Sequence, residues 1–599
     1  MMTDTIFHSR LAQFEPELRE LYAQLYGNTE LYNQLLAQLQ TFYTDRSHAL
    51  KTLDTQREQS PDWYKGENLL GMMLYIDNFA GNLAGVKEKL AYLDQANVNY
   101  LHLMPFLDTV PERSDGGYAV ADFRKVRPDL GTMEDLEALT HACHEKGMSV
   151  CMDFVMNHTS EDHAWAKRAR AGEGQYMNRY FFYADPSVPA AYDKTVPQVF
   201  PTTAPGNFTW LPDADHWVMT TFYPYQWDLN YANPVVFNEM MYNFLYLANR
   251  GVDVVRIDAV PYIWKEIGTS CRNLPQVHTI VRMMRIIGQI VCPGVILLGE
   301  VVMAPELVAP YFGTVEKPEC HLLYNVTTMA TTWHTVATRD VRLLRQQLDI
   351  VAKLPKEQVF LNYLRCHDDI GWGLDYDTLE GWGMEQVAHK KFLNNHFRGL
   401  DGSAARGELY NEDPVTGDAR LCGTTASLCG LEGGEAAPAI GLDLMLHAMM
   451  LFQSGIPVLY SGDEIGQKND WDYKSDPNKV QDSRYLHRGK MPWALTERIH
   501  VPETEEAQIF HGLAQLEQLR RTHRAFSASA DFWTLETGSD QVLGLGRWLD
   551  GEGLIGLFNF GDQDHVIRIP AEQTTDLITG EQTGDTVTVK AGSFRWLRA

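Results

Sequence analysis

The texture of apolar and polar positions changes twice along the chain. Near the N-terminus Phe14, Leu18, Leu21, Tyr22 and Leu25 recur at helical spacing, and after Gly27 and Asn28 the pattern restarts with Leu31, Leu35 and Leu39. This predicts a small helical domain that packs against its neighbour. From about residue 70, helical stretches alternate with short continuous apolar runs. The runs are MMLYIDNF, VNYLHLMPF, SVCMDFVMNH, VDVVRIDAV, VILLGEVV, CHLLYNV, VFLNYLRCHDD and GIPVLYSGDE. Runs without polar alternation are the form taken by parallel strands covered on both faces. They number eight, which closes a (β/α)8 barrel. After about residue 529 the pattern becomes one of alternating strands separated by turn residues: QVLGLGRWL, LIGLFNF, HVIRI, then TVTVKAGSFRWLRA. That predicts a C-terminal antiparallel β-domain.

Two connections are too long for plain loops. Residues 159–232, rich in aromatics and proline, and 371–431, with Trp, Gly and charge, read as inserted subdomains. The expected fold class is thus α/β: a (β/α)8 TIM barrel with an N-terminal helical domain, two insertions in the βα loops and a C-terminal β-domain. The expected boundaries are 1–67 for the helical domain, 68–158, 233–370 and 432–528 for the barrel, and 529–599 for the β-domain.

Composition narrows the functional classes. The 599 residues are 45% hydrophobic and 22% charged, ordinary for a globular chain with a large core. A net charge of −27 repels phosphate backbones and anionic membranes, so neither nucleic acid nor membrane is an expected partner. A neutral small molecule is, and no protein partner is inferred. The eight cysteines include no C-x-x-C pair, which leaves no zinc motif and no disulfide framework. The first residues lack a signal-peptide apolar stretch and no run reaches the roughly 18–20 apolar residues of a span, so the expected compartment is the cytoplasm.

Polar residues gather at the C-terminal ends of the apolar runs, the side on which barrels of this kind carry their chemistry. On a strand Arg256 and Asp258 share a face. A guanidinium there is expected to lower the Asp258 carboxyl, as a nucleophile requires. Glu300 follows the apolar VILLG, surroundings that favour a neutral carboxyl and hence a general acid. Asp368 and His367 in RCHDD, with His158 in DFVMNH, supply groups able to hydrogen-bond sugar hydroxyls. Each of these residues alone is also compatible with a helix cap or loop salt bridge, and Asp153 and Asn157 with loop organisation.

DFVMNH, RIDAV, GE and RCHDD, in that order, resemble the four signature regions of glycoside hydrolase family 13, the α-amylase family. SDGGYAV, TTFYPYQWDLNYANP, IWKEIGTSCRNLPQVH, HDDIGW and DSRYLHR resemble its sucrose-acting branch, the amylosucrases and sucrose hydrolases. The resemblance implies a retaining enzyme with Asp258 as nucleophile, Glu300 as acid/base and Asp368 as transition-state stabiliser. It implies that Arg256, His158 and His367 hold the glucosyl unit, that Phe222 stacks on sugar and Tyr118 lies under the ring, and that Asp115 and Arg484 pair as a pocket floor. Three arginines that hold the acceptor sugar in amylosucrase are replaced. The chain has Val196-Pro197-Gln198-Val199 before Phe200, Lys390 in HKKFL, and about Leu442 in the helix before the eighth strand. Weak acceptor subsites leave water as acceptor, so the expected activity is sucrose hydrolysis, with amylosucrase as the alternative. A non-catalytic barrel like transporter heavy chains is disfavoured, since all three carboxylates stand. No cofactor and no metal are expected; α-amylases commonly hold calcium near the residue matching Asn157, but this branch is described without that requirement.

Overall fold

A computed structural model describes every residue except Met1, Asn28 and Ala304, and only the backbone of Met2, Thr3, Asp4, Pro305 and Glu306. Asn28, marked by the sequence pattern as a break between helices, thus lies outside the described residues.

Eight parallel strands close into a barrel. They are β1 (Gly71–Leu74), β2 (Tyr100–Leu103), β3 (Ser149–Val155), β4 (Val254–Asp258), β5 (Ile296–Gly299), β6 (Leu322–Tyr324), β7 (Val359–Asn362) and β8 (Ile456–Tyr460). Seven lie inside the apolar runs and β1 begins one residue before its run; strands successive along the chain are neighbours, and β8 pairs back to β1 with Gly71 opposite Val458. Every residue of the eight strands is buried. With both faces covered, polar alternation has no place in them.

The chain divides into two compact units. The first comprises Met1–Pro61, Gly81–Glu88 and His102–Leu323. It opens with three helices, α1 (Met2–Tyr26), α2 (Thr29–Asp45) and α3 (His48–Gln59). Leu18, Tyr22, Leu35 and Leu39 are buried as their spacing requires, and the Ser47 hydroxyl caps α3 by accepting from the Leu50 amide. Polar ties join these helices to the rest of the unit: Arg46, paired with Asp54, to the Ala248 carbonyl, Arg57 to Asp253, and Glu17 to Arg282. The long connection after β3 folds as short helices and a three-stranded antiparallel sheet (Phe182–Tyr183, His216–Met219, Phe208–Leu211) around a core that includes Tyr192, Val196 and Met219. A further strand pair sets His158 opposite Asp228.

The second unit comprises Asp62–Ala80, Lys89–Leu101 and Tyr324–Ala599. The connection after β7 carries helices Tyr376–Gly381 and Gln386–Phe397 and a three-stranded sheet (Ile370–Gly371, Arg420–Cys422, Glu408–Tyr410). The C-terminal residues form a six-stranded and a two-stranded antiparallel sheet over a core of Val542, Ile555, Leu557, Ile567, Val587 and Leu597. In its central hairpin Leu549 pairs with Glu552, leaving a two-residue turn of Asp550 (φ 49°) and Gly551 (φ 90°). Positive φ at both central positions is the tight hairpin geometry that Asp-Gly favours.

Candidate active site

In the first unit the chemistry collects around one buried guanidinium. Arg256 and Asp258 alternate on β4, so both side chains take one face, with Arg256 Nη1 2.5 Å from Asp258 Oδ1. The same nitrogen lies 2.6 Å from Oδ1 of Asp153, the residue opposite Arg256 on β3. Nη2 reaches Glu300 Oε1, one residue beyond β5, at 2.7 Å. Asp153 also accepts from the Tyr118 hydroxyl at 3.1 Å and lies 3.2 Å from His102 Nε2. Three carboxylates thus share Arg256, and the Tyr118 ring lies 5.4 Å from its carbon.

This corrects two expectations. Burial, with the neighbouring Glu300 and Asp153 carboxylates, pushes the Asp258 carboxyl up, although Arg256 opposes the shift. One cation is shared among three crowded carboxylates, so its pull on Asp258 is outweighed. Nor is Glu300 surrounded by the apolar residues that precede it: those lie buried in β5, while Glu300 has left the strand and meets Arg256 and the Ala259 amide, which donates to Oε2 at 2.9 Å. Ala259 holds a left-handed φ of 48°, a conformation costly for a residue with a Cβ and typical of functional turns.

His158 is buried, its Nε2 3.2 Å from the Tyr118 carbonyl and its Nδ1 3.2 Å from the Asn157 amide nitrogen. Nδ1 therefore accepts and Nε2–H donates, the pattern of a neutral imidazole, and burial pushes its pKa down to about 4. The Phe222 ring lies 5.4 Å from His158 and 5.3 Å from Tyr262. Asp115 sits in a turn at φ 49° and accepts from Gln226 Nε2 at 3.3 Å.

Lys265 is a residue that sequence reasoning passed over. Its ammonium is 2.8 Å from Asn157 Oδ1, 3.0 Å from Asp228 Oδ2 and 2.5 Å from the Tyr262 carbonyl. The sequence resemblance places the calcium of α-amylases near Asn157, and here the Lys265 ammonium meets the Asn157 oxygen. The only sequence signal was a lysine inside the IWKEIG block.

In the second unit, RCHDD follows β7. The His367 carbonyl accepts from Arg488 Nε at 2.7 Å and lies 3.2 Å from His487 Nε2. His367 Nε2 is 3.2 Å from Asp368 Oδ2, while Asp368 Oδ1 faces Arg488 Nη2 at 3.5 Å and Arg484 Nη1 at 3.7 Å. Arg484 is gripped by Asp482 through Nε at 2.9 Å and Nη2 at 2.8 Å. Burial works upward on Asp482, but Arg484 overrides it and holds the carboxyl down at about 2. Arg488, the second arginine of DSRYLHR, was also missed; it is buried and neither Nη1 nor Nη2 has a hydrogen-bond partner.

The three replaced arginine positions contribute no guanidinium. The Pro197 carbonyl accepts from Arg272, Lys390 is ion-paired to Asp418 at 2.6 Å, and Leu442 is half-buried in helix Ala436–Phe452.

The family model described as alpha amylase, catalytic domain, matches residues 44–370, more than half of the chain. The chain belongs to the α-amylase family. Among α-amylase relatives, trehalose synthase of Thermus thermophilus is 29% identical over 499 residues, 81% of this chain and 47% of the relative, so the chain spans about half that enzyme's length. Glucosylglycerate phosphorylase of Allomeiothermus silvanus is 30% identical over 492 residues, 80% of this chain and 82% of the relative. Sucrose 6F-phosphate phosphorylase from Thermoanaerobacter thermosaccharolyticum has the same fold, with a TM-score of 0.66 over 88% of this chain and 98% of that one at 19% identity. Among the described residues, no helix is long and apolar enough to cross a membrane.

Proposed function

We propose that this α-amylase-family enzyme is a cytoplasmic sucrose hydrolase that works by double displacement. The observation that carries the proposal is the sharing of Arg256 by Asp258 and Glu300. Two carboxylates on Nη1 and Nη2 of one guanidinium are held close together. This favours the roughly 5–5.5 Å spacing of retaining pairs over the 6.5–9.5 Å of inverting ones.

In this cycle Glu300 enters as the acid and Asp258 as the nucleophile. Glu300 donates a proton to the bridging oxygen as the glucosyl C1–O bond breaks, and the Asp258 carboxylate forms the ester bond to C1. Fructose leaves. Water then attacks C1, Glu300 takes its proton, and glucose is released with retained configuration. Asp368 stabilises the oxocarbenium-like transition state. His367 bonds a glucosyl hydroxyl, His158 braces the pocket wall through the Tyr118 carbonyl, Tyr118 lies under the ring, Phe222 stacks against it, and Asp115 and Arg484 are further sugar-binding residues. Pro197, Lys390 and Leu442 offer no bidentate grip on an acceptor sugar, and Lys390 is already committed to Asp418, which supports water as the acceptor. All eight cysteines are free thiols, in keeping with the cytoplasm.

The relatives are named for isomerising and phosphorolytic reactions, so the test must separate these. Purified enzyme is incubated with sucrose, with and without inorganic phosphate, and products are resolved by chromatography. The proposal expects glucose and fructose at a rate independent of phosphate. Glucose phosphate, a sucrose isomer as the main product, or no reaction with sucrose would overturn it.

A further inference from the structure

We propose that Cys366, His367 and Asp368 form a binding site for a thiophilic divalent cation, zinc above all, and that its occupation blocks the sugar site. The first half stands on geometry alone; the second rests on the reading of His367 and Asp368 as sugar-binding groups.

Ligand atoms from these three consecutive residues all lie within 4.8 Å of one another, and among the described residues no other group of three His, Cys, Asp or Glu side chains converges in this way. The donor set is a sulfur, an imidazole nitrogen and a carboxylate oxygen, the mixture that zinc takes in tetrahedral sites. His367 Nε2 and Asp368 Oδ2 are 3.2 Å apart. Two ligands bound to zinc at about 2.0–2.1 Å and separated by a tetrahedral angle lie about 3.3 Å apart, so this pair needs almost no movement. The sulfur must approach to about 3.6 Å from each, given a Zn–S bond of about 2.3 Å. It is already tied to this turn, 3.4 Å from the Asp368 amide nitrogen.

Access distinguishes this thiol from the others. Cys366 is half-buried, whereas the other seven cysteines are buried. Asp368 is likewise half-buried, so an ion can enter and keep water as its fourth ligand. Arg484 and Arg488 are the opposing charges, but both face Asp368 Oδ1 and leave Oδ2 toward the imidazole. They make the site weaker than a structural zinc site. On binding, the Cys366 thiol gives its proton to solvent and the ion takes the place between Nε2 and Oδ2.

The test titrates metal-free full-length enzyme with cadmium, which shares the zinc donor preference and reports thiolate ligation by an ultraviolet charge-transfer band. The proposal expects one equivalent of band-forming cadmium in wild type, and affinity lower by about 100-fold or more in Cys366→Ser. That exceeds the roughly 10–100-fold cost of removing a group that only orients a metal ligand. Cys366→Ser keeps its activity toward sucrose, and zinc raises the apparent KM of wild type far more than that of the variant, with kcat little changed. No band in wild type, or the same band in Cys366→Ser, would overturn the site. A Cys366-dependent band with unchanged KM under zinc would overturn the blocking. If the enzyme did not act on sucrose at all, the functional reading would fail while the cadmium titration still decided the site.

Discussion

Replacing Lys265 with methionine tests whether this barrel carries its own cation where α-amylases commonly bind calcium. The Lys265 and Asp228 side chains are both fully buried, 0% exposed, and 3.0 Å apart. Methionine keeps the apolar stem and removes the charge. Asp228 is then left with donors from Thr221 and Asn157 only, and the Asn157 and Tyr262 oxygens lose their ammonium donor. Breaking a buried pair by deleting one partner costs about 3–5 kcal/mol, because the surviving charge stays desolvated. Since about 1.4 kcal/mol is a factor of ten, the population of unfolded or locally open chain rises by roughly 100- to several-thousand-fold. The assay is urea unfolding followed by circular dichroism for wild type, Lys265→Met, Asp228→Asn and the double variant. The double variant should recover most of the loss, because no unpaired charge remains. A Lys265→Met midpoint equal to wild type, or a double variant as unstable as the sum of the singles, would refute the reasoning.

Other predictions follow from the same geometry. With Lys265 supplying the charge, a chelator should leave the unfolding midpoint of wild type unchanged, measured with and without EDTA. Glu300→Gln and Asp258→Asn should each lower sucrose turnover by at least about 100-fold, since acid–base catalysis alone is worth roughly 10²–10⁴; retention of more than about a hundredth would remove the assigned role. Burial pushes the Glu464 and Glu517 carboxyls up to about 7, and neither Glu517 oxygen has a hydrogen-bond partner. Their folded values lie above the ordinary 4.5, so their stabilising effect is complete below pH 4.5 and is lost as pH rises to about 7. The loss is about 3 kcal/mol per group, and Glu517→Gln should make the fall in unfolding midpoint over that window shallower. Arg484→Ala should raise the KM for sucrose; unchanged kinetics would remove Arg484 from the proposed sugar site.

The barrel was legible because its strands are buried on both faces, which writes eight continuous apolar runs into the chain. The two-residue period of a strand likewise places Arg256 and Asp258 on one face from the sequence alone. What the period could not carry was the number of groups sharing that guanidinium. Asp153 and Glu300 arrive from different strands, and together with burial they turn the shift of Asp258 upward against Arg256. Lys265 and Arg488 were missed for a related reason. A lysine in a loop or a second arginine in a short block has no local pattern separating a buried functional cation from a solvated one. Their meaning comes from partners far away in sequence, Asn157 and Asp228 for Lys265, the His367 carbonyl for Arg488.

In the proposed reaction the glucosyl unit passes from Asp258 to water. A bound and oriented acceptor sugar has a large effective-molarity advantage over water, so an enzyme with working acceptor contacts reveals itself by transfer. The direct measurement is glucose released per fructose released at high sucrose, with glycogen added and its chain length followed. A ratio near unity with unchanged glycogen is the predicted result. A ratio well below unity with lengthened glycogen chains would make the enzyme a glucosyltransferase instead.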